Sequence, residues 1–279
     1  MKYYIVDAFT EQPFGGNPAG VVLLEGTPFP TEALMLQIAA ELRYSETAFV
    51  RRLSPKEYHL RYFTPKAEVE LCGHATIATF SLLHQLRLAE GECLCHTLAG
   101  DLRIKVGEKV MMQMATPRIV ATVEDTDEIY HALGVEDYHP TLPVQIAYSG
   151  LPDIMIPISD VAMLNGLQPD MNAISAITQK HKAVSLHVFA FCNDGHTAHV
   201  RDFAPLYDIP EESATGTANA ALTHYLQQNG RIPSVGDFTF LQGEAMGRPS
   251  VVATRIASDG TLYVGGTANV LASGEFNLA

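Results

Sequence analysis

Basic residues are scarce in this 279-residue chain, where 18 Lys and Arg stand against 31 Asp and Glu and the formal net charge is −13. No basic block interrupts the acidic pattern, so nucleic acid is not an expected partner. We also expect no secretory leader and no membrane partner, because apolar runs of membrane-spanning length are lacking. The 47% hydrophobic content is enough for large cores. These features predict a soluble, cytoplasmic protein.

Cysteines are few, and their spacing suits neither a disulfide scaffold nor a metal site. The four are Cys72, Cys93, Cys95 and Cys192, which is typical of a reducing compartment. The stretch "ECLCH" lacks the second ligand pair of a structural zinc site. His196 and His199 lie three apart in a predicted strand, so alternation sends them to opposite faces. We therefore predict no metal site.

The chain contains an internal repeat. "RYFTP" at 61–65 returns as "RDFAP" at 201–205, and "CGHATIATFSLL" from 72 returns as "TGTANAALTHYL" from 215. "LAGD" at 98–101 returns as "LQGE" at 241–244, with the same separation in sequence as the second of these pairs. A weaker match links "GGNPAGVVLL" from 15 to "SGLPDIMIPI" from 149. Matches in one order at nearly one offset predict two copies of one architecture. We place the first repeat domain at 1–117 and the second at 118–279, with the C-terminal strand free to return to the first.

Hydrophobic periodicity predicts the same order of elements in both halves. Half one reads as strands at 2–7 and 20–24, a helix at 31–43 and a hairpin from "TAFVRRL" to "YHLRYF". Half two reads as strands at 142–148 and 153–158, a helix at 171–181 and a hairpin from "LHVFAFC" to "HTAHVRDF". The turn of that second hairpin falls at Asn-Asp-Gly.

Each half also contains a helix-length segment without Asp, Glu, Lys or Arg, at 73–86 and at 216–230. A helix with no charged face must be buried on nearly all sides. The economical solution is an α+β fold of two pseudo-symmetric halves, each a mostly antiparallel, barrel-like sheet wrapped around its own central helix.

The starts of these two helices are candidate anion sites. The N–H groups of a first turn and the positive end of the helix dipole attract a carboxylate, and glycine permits close approach. Both starts would serve one ligand if they faced a common cleft between the halves. In the alternative interpretation each start is capped by its own residues, for which Thr215 or Thr217 is well suited and Cys72 is not.

A residue present in only one repeat is not required by the shared architecture. Glu46, in "RYSETAFV", precedes the first hairpin, whereas the second half has "SLHVFAF" and no carboxylate there. Glu46 is therefore a candidate general acid and base, with a solvated glutamate beside Arg43 as the alternative.

Four stretches have a more specific meaning together: "YYIVDAFTEQPFGGNPAGVVL", "SETAFV", "RYFTPKAEVELCGHAT" and "RDFAPLYDIPEESATGTANAAL". In this order they resemble the phenazine-biosynthesis PhzF-like isomerase family, which shares the diaminopimelate-epimerase-like fold. The resemblance covers essentially the whole chain. It implies an isomerase without a cofactor, an active site between the halves and a homodimer. The best understood members move a proton between two ring carbons of a dihydro-hydroxyanthranilate.

The resemblance also implies roles for individual residues. The proton-transferring glutamate falls on Glu46, the supporting histidine on His74 and the acidic residue before the second helix on Glu212. Where phenazine enzymes tend to read E-D-P-A-T-G-S, this chain reads "EESATGT", which alters the fit to a substrate. The residues expected to bind a small carboxylate-bearing substrate are Asn17, Gly73, Gly216 and Thr217.

Three functions remain open at this point. The first is a proton-moving isomerase that uses Glu46. The second is an amino-acid epimerase or racemase that uses Cys72, which stands where epimerases of this fold keep one of two facing cysteines. Its repeat partner is Thr215, so a two-thiol mechanism is broken. The third is a non-catalytic metabolite-binding protein.

Overall fold

The computed structural model describes residues 1–24 and 26–278. Within them the chain forms two compact units, the first of Met1–Gln113 with Gly265–Ala279 and the second of Met114–Val264. The C-terminal segment thus belongs to the first unit. Among the described residues, no helix combines the length and the apolar character that crossing a membrane requires.

The first unit contains two helices and a series of short strands. The elements run in the order β1 (Lys2–Ala8), β2 (Asn17–Leu24), α1 (Glu32–Leu42), β3 (Thr47–Ser54), β4 (Glu57–Phe63), β5 (Glu68–Val69), α2 (Gly73–Gln85), β6 (Gly91–Thr97), β7 (Gly100–Val106) and β8 (Val110–Gln113).

The second unit has the same kinds of elements, with extra short helices. They are β9 (Arg118–Thr122), α3 (Asp127–Ala132), β10 (Gln145–Tyr148), β11 (Pro152–Pro157), α4 (Val161–Gly166), α5 (Met171–His181), β12 (Leu186–Phe191), β13 (Ala198–Ala204), β14 (Ile209–Glu212), α6 (Gly216–Gln228), β15 (Gly236–Gln242), β16 (Ser250–Ile256) and β17 (Leu262–Gly266). The final strand is β18 (Ala268–Glu275), and single 3₁₀ turns occupy Pro205–Tyr207 and Glu244–Met246.

The strand pairing confirms that the two halves repeat one architecture. In the first unit, β1 pairs antiparallel with β2, β2 parallel with β3, β3 antiparallel with β4, β4 parallel with β6 and β6 antiparallel with β7. The series β10, β11, β12, β13, β15 and β16 repeats this order of orientations. Parallel neighbours require a crossover connection, and α1, α2, α5 and α6 each lie in one.

The C-terminal strand completes this correspondence. β18 pairs antiparallel with β1 in the first unit, and β9 pairs antiparallel with β10 in the second. The position beside the first strand of the repeat is therefore filled by β18 in the first unit and by β9 in the second. Because β18 belongs to the first unit, that unit is discontinuous in sequence.

A buried helix forms the centre of each unit. Every residue of α2 from 74 to 83 is buried, and in α6 Gly216, Ala218–Thr223, Tyr225 and Leu226 are buried. α2 contacts β1, β2, β3, β7, β8 and β18, while α6 contacts β9, β10, β11 and β16. Strands thus surround each helix, which explains why neither helix has a charged side chain.

The two repeat arginines form matching ion pairs. Arg61 of β4 donates through Nε to Glu68 Oε1 at 2.7 Å, and Arg201 of β13 donates through Nε to Glu211 Oε1 at 2.8 Å. Each guanidinium makes a second bond to the same carboxylate, so both pairs are bidentate. The pairs attach the short strands β5 and β14 in front of the buried helices.

Most predicted elements agree with the structure, but the predicted placement of His196 in a strand is wrong. The helices predicted at 31–43 and 171–181 are α1 and α5, capped by Thr31 and Asp170, and both hairpins form. His196, however, lies in the turn before β13, so strand alternation does not separate it from His199. Their ring centroids are 6.3 Å apart.

The turn between β1 and β2 depends on one glycine. Gly16 has φ +66°, and a Cβ added there would lie 2.2 Å from the Ala8 carbonyl oxygen. Gly26 has nearly the same φ, +68°, but a Cβ there would meet nothing within 4 Å. The two positions therefore separate the cost of backbone conformation from the cost of steric overlap.

We predict that Gly16→Ala destabilises the protein more than Gly26→Ala does. The free energy of unfolding of the Gly26 variant should fall by about 1–2 kcal/mol because alanine disfavours the left-handed backbone. That of the Gly16 variant should fall by about 1–3 kcal/mol more because the new Cβ overlaps Ala8. Urea unfolding of both variants measures the difference. Equal losses would show that the turn has room for a side chain.

Candidate active site

Glu46 and His74 meet in the first unit. His74 Nε2 lies 3.3 Å from Glu46 Oε2, and the side chains are 4% and 17% exposed. Glu46 precedes β3, and its carbonyl oxygen accepts from Gly20 N at 3.2 Å, which attaches this segment to β2. Glu46 therefore has a backbone that this hydrogen bond fixes and a side chain that solvent still reaches.

Two further side chains contact the imidazole of His74. Cys72 Sγ lies 3.4 Å from Nδ1, and Ser45 Oγ lies 3.4 Å from Nε2. Cys72 and His74 are the residues just before and just inside the start of α2. The structure thus brings together a carboxyl, an imidazole, a thiol and a hydroxyl.

A chain of hydroxyl groups fixes the backbone of Cys72. Thr76 Oγ1 donates to the Cys72 carbonyl oxygen at 2.7 Å, and the Thr76 N–H reaches the same oxygen at 3.1 Å. Since the Thr76 hydroxyl proton is used in this bond, the Tyr62 hydroxyl, 2.7 Å away, is the donor to Thr76. This chain orients the first turn of α2 and the imidazole on it.

Burial lowers the pKa of His74, and the neighbouring Glu46 carboxylate partly opposes that shift. A pKa below the usual value of about 6.5 leaves the imidazole neutral at pH 7. A neutral imidazole can donate one hydrogen bond and accept another.

The start of α2 carries no side-chain cap among the residues described. Cys72 occupies the N-cap position without accepting from the first turn, as its residue type predicts. The first residues of the helix are Gly73 and His74, so the positive end of the helix dipole lies beside the Glu46–His74 pair. An anion at this position would be stabilised by that dipole.

The start of α6 in the second unit has a different set of polar groups. Thr215 Oγ1 lies 2.8 Å from Glu212 Oε2 and 2.7 Å from Asp202 Oδ2. The residue type of Thr215 predicts a helix cap, but its side chain does not cap α6. The two carboxyl groups use its hydroxyl instead.

Behind Thr215, buried polar residues continue the network. Ser185 Oγ lies 2.6 Å from Asp202 Oδ1 and 2.9 Å from Asp153 Oδ1. His187 Nδ1 lies 3.0 Å from Asp202 Oδ1, because these two residues are direct partners across β12 and β13. All four side chains are buried.

The number of available protons limits the charge of this network. Each hydroxyl has one proton, yet Thr215 lies between two carboxyl groups and Ser185 between two. If all three carboxyl groups were ionised, two of these short contacts would join oxygens without a proton between them. Each hydroxyl bridge therefore requires a proton from one of the two carboxyl groups that it joins. Burial, with the nearby Asp202 carboxylate, raises the pKa of Asp153 to about 7, which agrees with this requirement.

Amide side chains fix the geometry at the start of α6. Gln242 accepts from Thr215 N at 3.1 Å and donates to the Glu212 carbonyl oxygen at 2.8 Å. Asn219 donates to the Thr215 carbonyl oxygen at 2.9 Å and to Gln242 Oε1 at 2.8 Å. These bonds hold the segment from Glu212 to Thr215 against the end of β15.

The remaining residues predicted to bind substrate lie in ordered positions. Asn17 is buried, starts β2 and is paired with Ala8. Thr217, in the first turn of α6, lies beside the Gly150 turn, where an added Cβ would be 3.9 Å from Thr217 Cγ2. Their roles in substrate binding stay predictions.

Reasoning from the sequence missed the buried partners of Glu212. One signal for them was present, because Asp202 in "RDFAP" replaces Tyr62 in "RYFTP". The comparison of repeats that singled out Glu46 also applies here. No comparable signal points to Asp153 or Ser185, since strand pairing alone brings them to Asp202.

We predict that Asp153→Asn changes how stability depends on pH. A raised folded pKa means that the unfolded carboxyl group ionises first, so the wild type loses stability as pH rises from about 3.8 to about 7. Asparagine keeps an amide that can hydrogen-bond to Ser185, and it does not ionise. The variant should gain up to about 1.4 kcal/mol per pH unit relative to wild type in that window, and nothing further above it.

Urea unfolding from pH 4 to pH 8 measures this difference. The exposed Asp125 provides a control, and Asp125→Asn should leave the pH slope unchanged. Parallel pH profiles for wild type and Asp153→Asn would contradict a protonated Asp153.

Comparison with known proteins shows what the chain is similar to. Residues 6–274 match the family described as phenazine biosynthesis-like protein. An uncharacterised isomerase of Deinococcus radiodurans is 37% identical, over 96% of this chain and 92% of its own. The trans-2,3-dihydro-3-hydroxyanthranilate isomerase of Pseudomonas chlororaphis is 32% identical, over 91% of this chain and 89% of its own.

A solved structure shows the same fold. The PhzF-family phenazine biosynthesis protein of Bacillus anthracis superposes with a TM-score of 0.90 at 24% identity, covering 100% of this chain and 99% of that one. The repeat architecture and the family match extend over nearly the same residues. The chain therefore belongs to the phenazine biosynthesis-like family of isomerases.

Proposed function

We propose that this protein moves a proton from one carbon to another within a small carboxylate-bearing metabolite, with Glu46 as the general acid and base. The contact of the Glu46 carboxyl group with a buried, neutral His74 carries this proposal. General acid–base catalysis requires a group within reach of the substrate that can both accept and return a proton. Glu46 meets this requirement because its side chain is partly exposed on a fixed backbone.

The proposed reaction is balanced without an electron acceptor. The Glu46 carboxylate removes a proton from one substrate carbon, and the electrons of that C–H bond shift through the adjacent double bond. The resulting Glu46 carboxylic acid returns a proton to a second carbon. Substrate and product are isomers, so this step requires no cofactor.

His74 supports the proton transfer in this mechanism. A neutral imidazole beside the carboxyl group orients it by a hydrogen bond and adds no positive charge. Ser45 and Cys72 then restrict the ring from both nitrogens. Cys72 contacts Nδ1, so Nε2 is the ring nitrogen that faces both Glu46 and Ser45.

Substrate binding is assigned to the helix starts and the turn before β2. Gly73 in the first unit, and Gly216 with Thr217 in the second, present first-turn N–H groups that suit a carboxylate. Asn17 supplies an amide at the start of β2. Glu212 is assigned a supporting acidic role through its bond to Thr215.

The named relatives support this chemical class. The Pseudomonas chlororaphis protein is named for its action on trans-2,3-dihydro-3-hydroxyanthranilate, a cyclic amino carboxylate. This chain has Glu, Ser and Thr where phenazine enzymes tend to have Asp, Pro and Ser before and within the second helix. We therefore infer the class of small cyclic carboxylates and treat that compound as the first one to test.

An epimerase that uses Cys72 is the second candidate, favoured by the 3.4 Å contact between Cys72 Sγ and His74 Nδ1. A two-base epimerase needs a base on each side of the α-carbon. The repeat partner of Cys72 is Thr215, whose hydroxyl is engaged by Asp202 and Glu212. That arrangement supports the isomerase instead.

We predict that Glu46→Gln lowers turnover by roughly 100-fold or more with nearly unchanged substrate affinity, because glutamine cannot accept the proton. Cys72→Ser should have a mild effect, since a hydroxyl retains a hydrogen bond to His74. Turnover of trans-2,3-dihydro-3-hydroxyanthranilate and of a panel of small cyclic carboxylates measures both effects.

The exposed Glu41 provides the matched control, and Glu41→Gln should behave as wild type. The epimerase mechanism demands the reverse order of effects, because a serine hydroxyl has a far higher pKa than a thiol. An inactive Cys72→Ser enzyme beside an active Glu46→Gln enzyme would reject the assignment of Glu46.

Reaction in D₂O distinguishes the two candidates by the position of the label. The isomerase should introduce deuterium at the carbon that receives the proton. The amount of deuterium is lower if the Glu46 carboxyl group is shielded from solvent and returns the proton that it removed. An epimerase should label the α-carbon of an amino acid without moving a double bond. Proton NMR of the product locates the label, and deuterium at the α-carbon of a product whose double bonds have not moved would exclude the proposed isomerisation.

A further inference from the structure

A second cluster of reactive side chains lies at the end of the β12–β13 hairpin and has no part in the proton transfer. Cys192 follows β12, Asp194 lies in the turn and His199 is the second residue of β13. One ligand atom from each, a thiol sulfur, a carboxylate oxygen and an imidazole nitrogen, lie within 4.8 Å of one another. Three atoms at these separations can bind a single metal ion.

The turn positions two of these groups. Gly195 has φ +101°, and Asp194 accepts from His196 N at 3.1 Å through Oδ1. The Cys192 thiol lies 3.2 Å from the His196 carbonyl oxygen. The turn therefore fixes one oxygen of Asp194 and leaves Oδ2 directed at His199 Nε2, 2.6 Å away.

The imidazole of His199 is held from its other side. Its Nδ1 lies 2.7 Å from Glu244 Oε2, and the ring is buried, with 8% of its surface exposed. A metal-binding histidine commonly donates its second ring N–H to a carboxylate, which fixes the tautomer and the ring orientation. The Glu244 carboxylate is close enough to take this role after a small rotation, because the present contact with Nδ1 lacks the geometry of a hydrogen bond.

The open side of the cluster faces a surface cavity of about 460 Å³, which Cys192, Asp194, His199, Asp160 and Phe191 line together with three neighbours. A cation in the cluster would thus have three protein ligands and one position open to water. Sites that bind an exchangeable fourth ligand share this arrangement, whereas closed structural sites have four protein ligands.

We propose that Cys192, Asp194 and His199 bind a divalent transition-metal ion of the zinc type, and that Glu244 orients His199. A combined sulfur, nitrogen and oxygen set suits such an ion better than Mg²⁺ or Ca²⁺, which prefer oxygen ligands. Tetrahedral coordination places nitrogen and oxygen ligands about 3.3 Å apart. Asp194 lies on an exposed turn, so a small movement of its carboxylate makes room for the ion.

The test uses the full-length reduced protein, freed of metal by a chelator and titrated with CoCl₂. The wild type should bind one Co²⁺ at this site, with the absorption band of a thiolate–cobalt bond. Cys192→Ser should lose that band. Cys72→Ser is the matched control, because Cys72 lies in the other group of possible ligands, with Glu46 and His74, and it should keep the band.

Three carboxylate-to-amide variants extend the test. Asp194→Asn retains an acceptor for His196 N but removes the anionic ligand, and should weaken binding strongly. Asp160→Asn changes a carboxylate in the same cavity, keeps a cap for α4, and should bind as wild type. Glu244→Gln should reduce affinity by about 10- to 100-fold.

Thermal unfolding with and without ZnCl₂ provides a second measurement. Zinc should raise the Tm of the wild type and of Asp160→Asn, but not that of Cys192→Ser. No thiolate–cobalt band in the wild type, or a band that disappears with Cys72→Ser and persists with Cys192→Ser, would overturn the proposal. Equal cobalt affinity for Asp194→Asn and Asp160→Asn would do the same.

Discussion

The architecture depends on enclosing one charge-free helix in each unit. An α-helix without a charged face is stable in water only when strands cover nearly all of it, and α2 and α6 are covered in this way. The crossovers, the parallel pairs and the edge positions filled by β18 and β9 follow from wrapping a sheet around such a helix. The enclosure also places the site residues, because Cys72 and His74 lie at the start of α2 and Thr215 lies at the start of α6.

Substitutions at matching positions give the two helix starts different chemistry. Tyr62 and Asp202 occupy equivalent positions, as do Cys72 and Thr215. In the first unit Tyr62 reaches the helix start through neutral hydroxyl groups, whereas in the second unit Asp202 brings a negative charge to Thr215. The matching arginine pairs, Arg61 with Glu68 and Arg201 with Glu211, keep the same scaffold in both units while these neighbouring residues differ.

Most of the fold could be predicted from the sequence because its signals are local. Periodicity located α1 and α5, and the absence of charge identified the buried α2 and α6. Glu46 and His74 could be predicted from the repeat comparison and the family resemblance, and the structure places them 3.3 Å apart. The strand predicted from 142 starts at 145 instead, after Pro143, whose carbonyl accepts from the Tyr225 hydroxyl.

Other parts of the site could not be predicted because long-range pairing creates them. Asp153 joins the network through the parallel register of β11 and β12, in which Ile154 is paired with Leu186, and His187 joins it through the antiparallel register with β13. No local pattern reveals either register. The contact of His199 with Asp194 was missed for a related reason, since the strand begins two residues after His196 and the expected alternation does not apply.

Proton sharing in the second unit bears on the proposed binding of an anionic substrate. The chain has a net charge of −13, and three ionised carboxyl groups behind the start of α6 would oppose the attraction of its dipole for an anion. Thr215 and Ser185 each bridge two of these groups, and that arrangement is stable only when carboxyl protons are retained. A protonated Asp153 reduces the negative charge without removing the hydrogen bonds that hold Glu212. The same buried network can therefore supply rigidity and limit repulsion, which a solvent-exposed cluster of three ionised carboxylates could not do.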